Sequence, residues 1–215
     1  MGLCIAVHNS VAVYPLMAFG SEAQKERWVR PLAKGEKIGA FCLTEPNAGS
    51  DAAAVTATAV ACDGYYTVNA NKVFVTNGGV ADVCLIFART DPSAGRKGIS
   101  VVVAERGTPG FVVGELENMC GMRANPVGSI RLNDCRLPAD HLLGQIAVAD
   151  GLGQPQADRV FGPDARHLLQ LGGRGLEHPL QRLEPFEKGL GGVLAILSRR
   201  AQREQELDHL VVRKS

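Results

Sequence analysis

From residue 38 to about residue 144 the chain is a series of short β-prone runs cut by glycine, proline and asparagine, and this punctuation limits the fold more than any other feature. Val55 to Cys62 alternates in character, Asp63-Gly64 is a tight-turn pair, and Tyr65 to Asn69 resumes the strand pattern. Further runs follow at Val73 to Thr76, Val83 to Ala88, Ile99 to Glu105, Phe111 to Val113 and Ser129 to Leu132. Between them lie Asn77-Gly78-Gly79, Pro92 to Gly98, Gly107 to Gly110 and Asn125-Pro126. Closely spaced strands without intervening helical periods predict an antiparallel β-barrel or sandwich and exclude a Rossmann-type sheet.

The flanks read differently, so the fold class is mixed α and β, with a β-domain over 38–144 between helical segments. Over 1–37, Leu3 to Phe19 is apolar on most sides, as in a helix buried among others. Ser21 and Gln24 have the spacing of a capping box, which starts a helix from Glu22 to about Arg30 that stops near Pro31, with Gly35 in the turn beyond. A chain that opens on a buried helix predicts partner helices upstream. Over 145–215 the texture shifts to Gly, Gln, Arg and Leu, and helical spacing survives only at Leu190, Val193, Leu194, Leu197 and Ala201. This tail is expected to be partly helical or disordered.

Composition removes several function classes. A formal net charge of +1 gives no attraction for nucleic acid or an anionic membrane. Gly2 to Gly20 lacks a basic leader, and His8, Asn9 and Ser10 interrupt it, which argues against a signal peptide and a membrane span. Ala6 stands where a myristoylation motif needs Ser or Thr. Six scattered cysteines without a C-x-x-C pair read as reduced thiols of a cytoplasmic protein, and five histidines show no metal-ligand spacing.

The chemistry-bearing stretch is Phe41-Cys-Leu-Thr-Glu-Pro-Asn-Ala-Gly-Ser-Asp51. It reads as a strand end, a turn at Glu45-Pro46 and a small-residue loop whose backbone N–H groups can approach an anion closely. Taken alone, such a loop is as often a plain turn as a phosphate site.

The order of residue classes in that stretch resembles the first signature of the acyl-CoA dehydrogenase family. The likeness continues through Phe74-Val-Thr-Asn-Gly-Gly79, Glu117 to Arg123 and Asp134-Cys-Arg-Leu-Pro138 to Leu142-Leu-Gly144. It implies a middle β-domain holding FAD between two helical domains, a homo-oligomer, an acyl-CoA substrate and an electron-transfer flavoprotein as acceptor. By the resemblance, Phe41, Leu43, Thr44, Gly49, Ser50, Phe74, Val75 and Thr76 contact the cofactor, and Ser50 also meets the acyl-CoA. Thr44 would bond the pyrimidine edge of the flavin, and Thr76 would donate its hydroxyl toward N5. Many members carry Trp where Phe74 stands; Phe keeps the stacking surface and loses the indole N–H.

The family's general base is a Glu from a C-terminal helical domain, and that pattern is not recognisable after Gln145. Gln170 to Leu176 resembles a second family signature but is one residue short. Glu177, Glu184 and Glu187 are the carboxylates there, with nothing to place them over the site, so the catalytic base is unassigned and a truncated or frameshifted product is expected. Two alternatives stay open: a flavin oxidase or monooxygenase relative, and an inactive flavin-binding or oligomerising fragment.

Overall fold

The computed structural model describes residues 2–143. The chain opens with two helices, α1 (Gly2–Phe19) and α2 (residues 22–33). Each contains one widened turn, His8–Val13 in α1 and Lys25–Val29 in α2, closed by i→i−5 bonds from Tyr14 N–H to Asn9 O and from Arg30 N–H to Lys25 O. Both wide turns end two residues before a proline, Pro15 or Pro31. Proline has no N–H and its ring crowds the carbonyl four residues back; a wider preceding turn relieves that crowding without ending the helix. The expected stop near Pro31 is therefore corrected: α2 runs on to Ala33.

The expected capping box is present, with Gln24 N–H bonded to Ser21 Oγ and Ser21 N–H to Gln24 Oε1. Gly35, at φ 67°, closes the other end in a Schellman arrangement, Glu36 N–H to Pro31 O and Gly35 N–H to Leu32 O.

One face of α1, made by Cys4, His8, Ala12 and Leu16, is fully buried. His8 Nδ1 accepts from Gly39 N–H at 3.0 Å, so Nε2–H donates to Leu32 O at 3.1 Å, joining α1, α2 and the first strand. Burial pushes the His8 pKa down, against the pull of the Leu32 carbonyl, and favours the neutral ring that this geometry needs. The polar residues do not interrupt the helix: it runs unbroken for 18 residues with mean hydropathy 1.5, long and apolar enough by composition alone to cross a membrane. What the fold shows is a helix tied to the sheet along its His8 face.

Seven strands form one curled, mixed sheet, a half-barrel: β1 (Gly39–Cys42), β2 (Thr58–Cys62), β3 (Tyr65–Val75), β4 (Val83–Arg89), β5 (Ile99–Glu105), β6 (Phe111–Leu116) and β7 (Gly128–Pro138). The order is β1-β4-β2-β3-β7-β6, with β5 also on β4. The pairs are antiparallel as expected, except that β1 and one residue of β2 run parallel to β4. Residues 83–88 of β4 are all buried, as a strand covered on both faces requires. Beyond β7 the chain returns to β5 through Leu143 N–H to Val101 O.

The Asp63-Gly64 turn is confirmed: both residues have positive φ, 30° and 85°, between paired Cys62 and Tyr65. Two strands are longer than their apolar runs. β3 joins Tyr65 to Asn69 with Val73 to Val75 through Lys72, and β7 reaches Pro138 across a bulge at Asp134 (φ 45°). Asn69 satisfies that bulge by donating to Asp134 Oδ1 and accepting Asp134 N–H. Alternation breaks at bulges and at buried charges, so a reading by period 2 ends the strands there.

Candidate functional site

β1 ends at Cys42, and the next two carbonyls turn to β3. Leu43 O accepts from Lys72 Nζ at 3.1 Å and Thr44 O from Val73 N–H at 3.0 Å. Glu45 and Ala48 then exchange backbone bonds of 3.0 and 3.1 Å, closing a four-residue turn with Pro46 in its second position. Gly49 and Ser50 leave that turn exposed, and a Cβ on Gly49 would meet no atom within 4 Å. Asp51 Oδ1 caps Ala53 N–H, and Arg89 holds the Ala53 and Val55 carbonyls at 2.7 Å each, anchoring the far side of the loop.

The β3 side of the site is built on a bulge. Lys72 pairs with Ile130 and Val75 with Gly128, so Val73 and Phe74 oppose Ser129 alone. Phe74 takes φ 54°, a conformation costly for a bulky side chain, and the residue is 64% exposed. A strand that keeps an aromatic strained and exposed has spent stability that a packed core residue would have returned. Val75 is buried beneath the bulge and Thr76 is half-buried.

Phe41 lies in β1 with its ring 4.6 Å from that of Phe87, and Leu43 is half-buried beside it. The Thr44–Val73 bond thus brings segment 41–50 against β3 one residue before segment 74–76. The hydroxyls of Thr44, Ser50 and Thr76 bond no group among the described residues. Arg123 is exposed and staples its own loop, Nε to Met119 O at 3.2 Å.

Sequence reasoning missed the most heavily bonded group here. The Glu45 carboxylate receives Thr56 N–H (2.7 Å), Thr56 Oγ1–H (2.6 Å), Ala57 N–H (3.0 Å) and Lys72 Nζ (2.7 Å). The Lys72 and Glu45 side chains are 0% and 3% exposed. Burial pushes the Glu45 pKa up, but the bonds from Lys72 and Thr56 outweigh it and leave it below the ordinary carboxylate value. Burial lowers the Lys72 pKa, and Glu45 opposes that. The available signal was a lone lysine in the middle of a strand pattern. So committed a carboxylate is not a free base. Glu177, Glu184 and Glu187, and the whole of 145–215, lie outside the described residues.

Two family models match the chain, the acyl-CoA dehydrogenase N-terminal domain over residues 1–36 and the middle domain over 40–135. An acyl-CoA dehydrogenase of Bacillus subtilis is 35% identical over 218 residues, covering 96% of this chain and 57% of that protein. Butyryl-CoA dehydrogenase from Megasphaera elsdenii superposes with TM-score 0.65 at 30% identity, over 96% of this chain and 56% of that one. The prolyl acyl carrier protein oxidase AnaB gives TM-score 0.67 at 28% identity, over 93% and 59%. The chain thus spans about half the length of these relatives. With both domain models matched in order and the half-barrel shared, the chain belongs to the acyl-CoA dehydrogenase family.

Proposed function

We propose that this chain forms the flavin cradle of an acyl-CoA dehydrogenase: it holds FAD on residues 41–50 and 74–76 and presents it to an acyl-CoA thioester for α,β-dehydrogenation. The observation that carries the reading is the β3 bulge, which leaves Phe74 exposed at φ 54° beside the Thr44–Val73 contact.

The residues fit the cofactor by their chemistry. A planar ring needs an apolar wall and hydrogen-bond partners along its edge; Phe74 is the wall, and Thr44 and Thr76 carry unpaired hydroxyls. A pyrophosphate needs close backbone approach, and Gly49-Ser50 offers an exposed small-residue loop with open space at Gly49. When bound, FAD supplies the hydride acceptor. Thr76 would donate toward the ring atom where charge develops, Thr44 would hold the pyrimidine edge, and Ser50 would meet the cofactor pyrophosphate and the thioester. Leu43 holds its segment by its carbonyl on Lys72, and Val75 holds the other by its pairing with Gly128.

Glu45 cannot take the substrate α-proton while it accepts four hydrogen bonds, so the base remains unassigned. The domain division follows: 1–37 as part of an N-terminal helical domain, 38–144 as the middle domain, and 145–215 apart. The whole protein works in the cytoplasm as a homo-oligomer and passes electrons to an electron-transfer flavoprotein. The likeness to AnaB favours a second reading, an oxidase on the same cradle.

The test is anaerobic mixing of FAD-loaded chain with butyryl-CoA while following flavin absorbance. The chain is expected to bind FAD and bleach it slowly, because the family's base-bearing pattern is not recognisable in the sequence after Gln145 and lack of a positioned base costs about 10²–10⁴ in rate. No FAD binding overturns the reading; when air is then admitted to the bleached sample, repeated turnover driven by oxygen moves it to the oxidase.

A further inference from the structure

We infer that the buried Lys72–Glu45 pair is a positioning device that sets the spacing and mutual orientation of the two cofactor-facing segments; the inference rests on the flavin reading above. Lys72 occupies the last regular β3 position before the bulge, two residues from Phe74. Its ammonium reaches Leu43 O at 3.1 Å and Glu45 Oε1 at 2.7 Å, so one fully buried cation grips the β1 extension at two points. Glu45 in turn binds Thr56 and Ala57, which fixes the loop that returns from Gly49-Ser50. Three segments distant in sequence, 43–45, 56–57 and 72–73, converge on one ion pair.

A fold that wanted only stability would fill this position with apolar side chains, because replacing a buried pair by packed hydrophobes is often neutral or favourable. What the pair gives instead is direction. Three donors besides Lys72 set the carboxylate, the carboxylate and Leu43 O set the ammonium, and the Thr44 peptide and the Phe74 bulge lie on either side of it. Neither residue is among the proposed flavin contacts; both act through Leu43, Thr44 and Phe74.

The experiment compares the unaltered chain with K72M, with the K72M/E45Q double variant and with E105Q, which removes a charge on the helical side. FAD fluorescence quenching, the visible spectrum of the bound flavin, its reduction potential and Tm are read for each. Both Lys72 variants are expected to bind FAD about tenfold more weakly, the size of one charge-assisted hydrogen bond, with a shifted spectrum and potential. E105Q is expected to lower Tm and leave the flavin signals unchanged. The double variant leaves no unpaired buried charge, so it remains readable if K72M alone does not fold. An unshifted spectrum and potential with unchanged affinity in the double variant overturns the inference while leaving the flavin reading intact. Equal flavin changes in E105Q also overturn it, by showing that any destabilisation suffices. Failure of the unaltered chain to bind FAD overturns both.

Discussion

Two carboxylates gather several donors each, and they are built on opposite terms. Glu105, at the end of β5, binds Trp28 Nε1, Arg27 Nε and Lys37 Nζ at 3.0 Å each while its side chain stays 22% exposed. Burial pushes its pKa up, but Trp28 and Lys37 pull harder and bring it down to about 2. Glu45 is 3% exposed, and its one cation is wholly buried. The first cluster fastens helices to the sheet, where water can compensate a lost partner. The second lies buried between residues 43–45, 56–57 and 72, where water cannot, so the same kind of change should cost far more there.

The largest expected effect is that of Lys72→Met, which strands a buried carboxylate and should destabilise the chain by about 3–5 kcal/mol in urea unfolding. The double variant Glu45→Gln/Lys72→Met should recover a good part of that loss; equal losses in both would erase the contrast between the clusters. Gly39→Ala comes next. Its Cβ would meet Ala12 Cβ at 2.7 Å, where α1 crosses β1, so a cost of about 1–3 kcal/mol is expected from overpacking.

Acid should weaken the first cluster. Glu105 has a depressed folded-state pKa, so the unfolded chain binds the extra proton: its contribution is intact above pH ~4.5 and is lost as pH falls toward about 2. Unfolding followed from pH 6 to pH 2.5 should show a slope that Glu105→Gln flattens. The smallest effect is at Phe74. Phe74→Gly removes the positive-φ strain and should raise stability by up to about 1 kcal/mol while weakening FAD binding. A loss of stability there would mean the ring packs in the chain alone.

How much of this was legible in the sequence follows from what each residue's environment depends on. The Asp63-Gly64 turn, the Ser21–Gln24 box and most strand cores are local, and local chemistry announces them. The parallel pairing of β1 with β4 depends on contacts 44 residues apart (Gly39 with Val83), which no period reveals. The continuation of α2 past Pro31 depends on a wide turn that propensity alone does not anticipate. Thr44 and Thr76 were singled out through an ordered motif, whereas Lys72 went unread because a lysine in a strand looks like a solvent-facing residue. Its partner sits 27 residues away, hidden in what reads as a turn.

The central claim, that 41–50 and 74–76 form one flavin cradle, is tested most directly by amide hydrogen exchange on this chain with and without FAD. Protection is expected in peptides covering 41–50 and 72–79, with little change over 2–33 and 99–105. FAD-dependent protection confined to the helices or to β5, or none at saturating FAD, would contradict it.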